Sequence, residues 1–181
     1  GLLRPKTAYT LIKKLKKNLN IPIHLHTHST TGLADATNFK AFEAGVDNID
    51  TSISSFSNLY AHTATESMIA MMYDNQSSPF NNELLTEISK YFENIRKNYS
   101  KYEGSMKGID VKMLTNQVPG GMLSILEKQL VDLKKQHKLM DLIKEIPRIR
   151  KDVGYIPLVT PTSQIVGAQA LSNIIDGERY K

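Results

Sequence analysis

The spacing of apolar residues predicts a chain that is mostly helical and contains two short buried strands. Residues 4–18 and about 33–44 carry apolar side chains at helical intervals, whereas 21–25 and 46–53 are compact apolar runs typical of strands. Gly45 stands where the second helix should end. The order helix, strand, helix, strand indicates a parallel α/β architecture, either a doubly wound sheet or a closed (β/α)₈ barrel.

A different pattern begins after residue 76, where the alternation of strands and helices stops. The sequence predicts a loop over 74–79, an extended segment over 111–118, and helices over 82–100, 122–137, 138–145, 147–152 and 164–175. We therefore divide the chain into residues 1–76, the end of an α/β domain, and residues 77–181, a helical annex. Because two strands form neither a barrel nor a stable open sheet, we expect the other strands to lie upstream of Gly1, in the same or another chain.

Three of the five histidines follow one another at alternate positions at the end of the first predicted strand: His24, His26 and His28. Alternate residues of a strand point to the same face, about 7 Å apart. Imidazoles placed in this way can share a zinc-like cation. They can equally be histidines whose ring nitrogens are satisfied by neighbouring protein groups, and the pattern alone leaves both interpretations open.

The amino-acid composition limits the metal ligands and the binding partners that the chain can have. The absence of cysteine restricts the ligands of any metal to nitrogen and oxygen. No apolar run is long enough for direct membrane insertion, and no signal-peptide pattern is present, so we expect a cytoplasmic protein. Part of the net charge of +5 lies in lysine clusters at 13–17 and 134–138, which alternate with leucines as on solvated helix faces. Without aromatic stacking residues beside them, these clusters do not indicate a nucleic-acid partner.

Several separate motifs resemble one family, the biotin-dependent carboxyltransferases that act on pyruvate and oxaloacetate. The resemblance is strongest to the alpha subunit of oxaloacetate decarboxylase and to the corresponding subunit of two-subunit pyruvate carboxylase. It rests on the segments 24–32, 41–47, 50–55, 62–67, 116–124, 158–167 and 177–180. The family fold is a TIM (β/α)₈ barrel with a mostly helical annex, so the resemblance implies that this chain supplies the last two strands and the annex.

The resemblance also implies a reaction, in which a carboxyl group moves between carboxybiotin and pyruvate or oxaloacetate at a divalent-metal site. The implied metal is zinc or a similar ion, with manganese and cobalt as alternatives. His26 and His28 match the family's two histidine ligands, while His24 matches a position that packs deeper in the barrel. The family's other two ligands, an aspartate and a carbamylated lysine, have no counterpart in this chain. Biotin is expected on another domain or subunit, and the expected partners are a biotin carboxyl-carrier domain, the rest of the barrel and further copies of the protein.

Ser124 matches the family position whose hydroxyl relays a proton between pyruvate and biotin. From the residues alone, a serine here equally indicates the first turn of a helix. The next residue, Ile125, departs from the asparagine usual in the family. His62 falls in the loop after the second strand, where it could contact substrate or face solvent.

Two alternatives to this function remain open at the level of sequence. One is a metal-dependent lyase or aldolase built on the same barrel, and the other is a non-catalytic fragment of the parent enzyme. We expect the parent to be the enzyme and the 181-residue segment alone to be inactive, because half of the implied metal ligands are missing. The sequence does not distinguish a decarboxylase from a carboxylase.

Overall fold

A computed structural model describes residues 1–73, 77–111 and 113–181, with only the backbone described for Asn116. The chain forms two compact units, Gly1–Asp110 and Val111–Lys181. The first unit contains α1 (Pro5–Asn18), β1 (His24–Leu25), α2 (Ala34–Glu43), β2 (Asn48–Ile49), α3 (Thr65–Met72), α4 (Asn82–Arg96), and 3₁₀ helices at Ser54–Phe56 and Lys97–Tyr102. The second contains α5 (Met113–Asn116), α6 (Gly120–Asp132), α7 (Leu139–Asp152), α8 (Thr162–Asp176) and a 3₁₀ helix at Gln136–Lys138.

The two predicted strands pair in parallel, as the helix–strand alternation indicates. His24 lies opposite Asn48 and Leu25 opposite Ile49, with α2 as the connection between the strands. Helix α1 packs against α2, and Ile12, Ile23 and Ala41 form the small apolar core beneath the strands. Within the described part of the chain neither strand has a neighbour on its outer edge, and each is only two residues long.

Helix α4 packs on the first unit, although the sequence assigns it to the annex. The rings of Phe56 and Phe92 meet edge to face with their centroids 5.9 Å apart. The hydroxyls of Ser54 and Ser89 lie 2.6 Å apart, and Arg96 Nη1 donates to the Ser55 carbonyl at 2.6 Å. These contacts place α4 in the first compact unit, and the bond of the Asp110 amide to the Thr30 carbonyl ties the end of that unit to it. The boundary after residue 76 stays a prediction about domains, and residues 74–76 of the predicted loop lie outside the described residues.

The second unit is helical, as predicted, and α7 and α8 pack around buried residues that include Leu142, Ile146 and Val166. The expected interruption of α7 at Pro147 is wrong. The helix runs continuously through this proline, because apolar residues on both sides of it are buried in the core. Residues 113–116 of the predicted extended segment form the short helix α5, and Lys112 lies outside the described residues.

None of the described helices has the length and apolar character needed to cross a bilayer.

Candidate metal centre

Three imidazole rings meet on the first unit. His26 and His28 lie on the segment that follows β1, and His62 lies on the loop that leads into α3. One ligand-type nitrogen from each ring falls within 4.8 Å of the others. The ring centroids are 4.5 Å apart for His26 and His62, 4.8 Å for His28 and His62, and 5.1 Å for His26 and His28. Both loops extend beyond the C-terminal ends of parallel strands, where ligand sites gather in α/β folds.

In each ring of this cluster, Nδ1 donates a hydrogen bond to an oxygen outside the cluster. His26 Nδ1 donates to Asp50 Oδ2 at 2.6 Å, His28 Nδ1 donates to the Tyr60 carbonyl, and His62 Nδ1 donates to the Thr27 carbonyl. A carbonyl oxygen only accepts hydrogen bonds, so Nδ1 carries the hydrogen in His28 and His62. In a neutral imidazole the lone pair then resides on Nε2, which is the arrangement that metal-binding histidines adopt.

The separation of two of these nitrogens fits a metal ion. His26 Nε2 lies 3.3 Å from His28 Nε2. Two nitrogens bound at about 2.0–2.1 Å to one tetrahedral zinc ion lie roughly 3.3–3.4 Å apart. Two lone pairs at this distance repel each other unless a cation or a proton lies between them. The donor set is therefore suited to a borderline-soft divalent ion such as zinc.

Charge and burial favour the metal-binding forms of these side chains. Hydrogen bonds from His24 and His26 hold the pKa of Asp50 below its usual range, so the carboxylate is ionised and accepts the Nδ1 hydrogen of His26. Burial lowers the pKa of His28, and the hydrogen bond to the Tyr60 carbonyl opposes this only in part. A histidine with a lowered pKa is neutral at pH 7 and keeps its Nε2 lone pair available.

Two buried side-chain hydrogen bonds connect the segment that carries His26 and His28 to the loop that carries His62. Thr27 Oγ1 donates to Asn38 Oδ1 at 2.9 Å, and Asn38 Nδ2 donates to Thr63 Oγ1 at 3.0 Å. Thr27 lies between His26 and His28, Thr63 follows His62, and all three polar residues are buried. Helix α2 thus fixes both segments through one amide side chain.

The structure brings together the two predicted ligands and adds a third histidine. His26 and His28 are neighbours, in keeping with their alternate positions in the sequence. His62 was expected only to contact substrate or solvent, although the shared edge of parallel strands could have indicated its proximity. His24 lies outside this cluster, with its Nε2 2.6 Å from Asp50 Oδ1. Its expected packing deeper in a barrel stays a prediction, because that packing would involve strands outside this chain.

Ser124 lies in the other compact unit, in the first turns of α6. Its half-buried hydroxyl donates to the Gly121 carbonyl at 3.0 Å, a bond common for a serine near a helix start. The oxygen keeps its acceptor lone pairs, and its role in catalysis stays a prediction.

Comparisons with known proteins give a consistent result. Residues 1–92 match the HMGL-like family, and residues 113–180 match the conserved carboxylase domain. A pyruvate carboxylase subunit of Methanothermobacter thermautotrophicus is 44% identical over 99% of this chain and 32% of its own length. The methylmalonyl-CoA carboxyltransferase 5S subunit of Propionibacterium freudenreichii subsp. shermanii is 42% identical over 100% of this chain and 36% of its own length.

One of the matching solved structures is the carboxyl transferase domain of Rhizobium etli pyruvate carboxylase with pyruvate. It superposes with a TM-score of 0.91 at 29% identity, over 99% of this chain and 30% of that one. The chain thus spans about a third of the length of the proteins that it resembles.

Proposed function

Because the chain belongs to the biotin-dependent carboxyltransferase family, we propose that its parent protein transfers a carboxyl group between carboxybiotin and pyruvate or oxaloacetate. The chain has the α/β fold of that family, with an HMGL-like first unit and a helical second unit. In this proposal β1 and β2 are the last two strands of a TIM barrel whose other strands lie elsewhere in the parent. The outer edges of the two strands are then paired by those missing strands.

The convergence of imidazole lone pairs is the observation that carries the proposal. His26 and His28 hold a divalent ion, zinc or a similar one such as manganese or cobalt, through Nε2. When bound, the ion supplies Lewis-acid stabilisation for the negative charge that pyruvate develops on losing a methyl proton. The family resemblance assigns the remaining ligands, an aspartate and a carbamylated lysine, to the part of the parent outside this chain.

Ser124 moves the proton in the proposed reaction. In the carboxylation direction the Oγ atom accepts the proton that leaves the methyl group of pyruvate and passes its own to the ring nitrogen of biotin. At the same time the bond between that nitrogen and the carboxyl carbon breaks, and a carbon–carbon bond to pyruvate forms. A hydroxyl is suited to this relay because it accepts and donates without becoming charged. The hydrogen bond of Ser124 to the Gly121 carbonyl is exchanged for one to the substrate.

The other parts of the proposal concern the assembly. Biotin is carried by a carboxyl-carrier domain on another part of the parent or on another subunit, and the parent assembles from several copies in the cytoplasm. A lyase or aldolase also fits the HMGL-like match over residues 1–92. The match of residues 113–180 to the conserved carboxylase domain favours carboxyl transfer instead.

Avidin sensitivity tests the proposed reaction in the full-length parent protein. We expect turnover of oxaloacetate to depend on biotin and to stop when avidin sequesters it. Turnover that continues with avidin would instead support the lyase or aldolase. The isolated 181-residue chain should show no steady turnover.

A further inference from the structure

We propose that residues 104–110, named the strap here, position the metal-binding ring of His28 through the backbone of Tyr60. The strap follows the 3₁₀ helix that ends at Tyr102 and lies in the first compact unit. The inference rests on the metal centre proposed above. It adds a positioning residue, Tyr60, which acts on the ion only through His28.

Tyr60 lies in a tight turn whose backbone is strained. Asn58 and Leu59 have φ angles of +66° and +50°. Leucine rarely adopts this left-handed conformation, and contacts from elsewhere in the fold are needed to maintain it. The Ala61 amide closes the turn on the Asn58 carbonyl at 2.8 Å. The Tyr60 carbonyl accepts the Nδ1 hydrogen of His28, so the lone pair of that ring is left on Nε2.

One end of the strap holds the ring of Tyr60. A Cβ atom on Gly104 would lie 2.8 Å from Cζ of that ring and closer still to Cε2. Gly104 does not have a positive φ angle, so the contact needs its missing side chain and not a special backbone conformation. The Met106 amide donates to the Tyr60 hydroxyl at 3.3 Å. The ring therefore cannot turn away from Gly104 without losing its bond to Met106.

The other end of the strap contacts the segment that carries His28. The Asp110 amide donates to the Thr30 carbonyl at 2.8 Å. Ile109 packs over Gly32, where a Cβ atom would lie 3.0 Å from Cδ1 of Ile109. Thr30 and Gly32 closely follow His28 in the sequence. The strap thus connects this segment to the turn whose carbonyl orients the His28 ring.

The strap and Asn38 connect the same two segments at different points. Asn38 does so through the buried hydroxyls of Thr27 and Thr63, whereas the strap acts at Tyr60 and Thr30. Loss of the contact between the strap and Tyr60 leaves the buried bonds in place. We therefore expect the protein to remain folded while the Tyr60 carbonyl loses its fixed position.

Zinc affinity of the full-length protein, measured by competition with a chelator, tests the role of the strap. Gly104→Ala displaces the Tyr60 ring and Tyr60→Ala removes it, so each should weaken zinc binding by at least about 10-fold, as loss of an outer contact does. Gly108→Ala is the matched control, because a Cβ atom there meets nothing within 4 Å. A smaller loss in either variant, even with a lowered midpoint of urea unfolding, would show a purely structural strap and overturn the proposal.

The double variant separates a shared effect from two independent ones. Once Tyr60 is alanine, the Cβ atom of Gly104→Ala no longer meets a ring. Gly104→Ala/Tyr60→Ala should therefore bind zinc as Tyr60→Ala does. A loss equal to the product of the two single losses would overturn the action of Gly104 through Tyr60.

Hydrogen exchange in the wild type needs no variant and so does not depend on how the variants fold. If the strap strengthens zinc binding, bound zinc must oppose opening of the strap by the same factor. Saturating zinc should slow exchange of the Met106 and Asp110 amides by at least about 10-fold. The Leu84 amide, which bonds the Asn81 side chain at the start of α4, is the reference and should not change. Unchanged exchange in the strap, or equal slowing at Leu84, would overturn the proposal.

His28→Ala distinguishes failure of this inference from failure of the metal centre. If His28→Ala binds zinc as the wild type does, the metal centre itself is wrong. If His28→Ala loses zinc while Gly104→Ala and Tyr60→Ala keep wild-type affinity, the metal centre stands and only the role of the strap is wrong.

Discussion

The carboxylate of Asp50 lies 2.6 Å from Nδ1 of His26 and directs the opposite nitrogen of that ring toward the other two histidines. The same carboxylate engages His24 through its second oxygen. Asp50 follows β2, whereas His24 lies in β1 and His26 directly follows it, so parallel pairing of the strands creates both contacts. In the proposed metal centre Asp50 is a positioning residue, acting through His26.

Replacement of Asp50 by asparagine should weaken zinc binding by about 10–100-fold, because the amide does not compel Nδ1 of His26 to carry the hydrogen. Chelator competition on the full-length protein measures the change. Asp47→Asn is the matched control, since the Asp47 carboxylate pairs with Lys16 and not with a histidine. Equal zinc affinities in the two variants would contradict the positioning role.

Asn38→Ala should both destabilise the protein and weaken metal binding. The substitution leaves the buried hydroxyls of Thr27 and Thr63 without their partner, at a cost of about 2 kcal/mol. Urea unfolding of the full-length protein measures the first effect and chelator competition the second. Asn18→Ala, which removes only an exposed bond to the Lys14 carbonyl, should change neither. Unaltered zinc affinity in Asn38→Ala would show that the network serves the fold alone.

The buried carboxylate of Glu145 should hold the C-terminal segment on the second unit. Its side chain is 3% exposed and accepts hydrogen bonds from Asn173 at 2.9 Å and from Arg179 at 2.6 Å. Glu145→Ala leaves the buried Nδ2 donor of Asn173 without this acceptor and should lower the free energy of unfolding by about 2 kcal/mol. Hydrogen exchange in residues 177–181 should accelerate with it. In Glu178→Ala, which loses only an exposed pair with Lys181, exchange should stay near the wild-type rate.

Acid should remove the contribution of Glu145 to stability. Burial raises the pKa of this carboxyl, but the hydrogen bonds from Arg179 and Asn173 outweigh it and hold the pKa below its ordinary value of 4.5. A pKa lower in the folded than in the unfolded state stabilises the protein fully above about pH 4.5 and progressively less as the pH falls through the folded-state value. The difference in unfolding midpoint between wild type and Glu145→Gln should therefore shrink below pH 4.5. A difference that stays constant with pH would argue against an ionised Glu145.

Ser124→Ala should slow carboxyl transfer by about 100-fold or more while leaving the metal content unchanged, because the relay hydroxyl is lost and no ligand is touched. Ser124→Thr keeps a hydroxyl and should retain activity. Ser172→Ala, which removes a surface bond to Asp176, controls for the loss of a serine. Full activity in Ser124→Ala would refute the relay.

The sequence predicts contacts between site residues that are close along the chain, but not contacts between site residues that are far apart along it. His26 and His28 are two residues apart, so the geometry of an extended segment alone places them together. His62 joins them only through the ends of two strands and a loop, and its orientation depends on the Thr27 carbonyl, which no spacing encodes. The partners that orient the rings are mostly backbone carbonyls, and these leave no trace in residue identity.

The fold shows the same division between local and long-range information. Helices α1 and α2 follow their apolar periodicity and end near the predicted residues. The path of α7 through Pro147 and the packing of Phe92 against Phe56 are decided by the core around them, which overrides the local preference. Whether the residues on both sides of a proline are buried depends on tertiary packing, so the sequence of the helix alone does not predict it.

The side-chain amide of Asn38 determines when the loops of the metal centre become ordered. Since it ties Thr27 to Thr63 through protein groups, folding itself sets the spacing of the histidine loops. The entropy of ordering those loops is thus lost once, during folding, and not each time an ion enters or leaves. Metal-free and metal-loaded protein should consequently share one backbone here, so that the centre can be emptied and refilled without refolding.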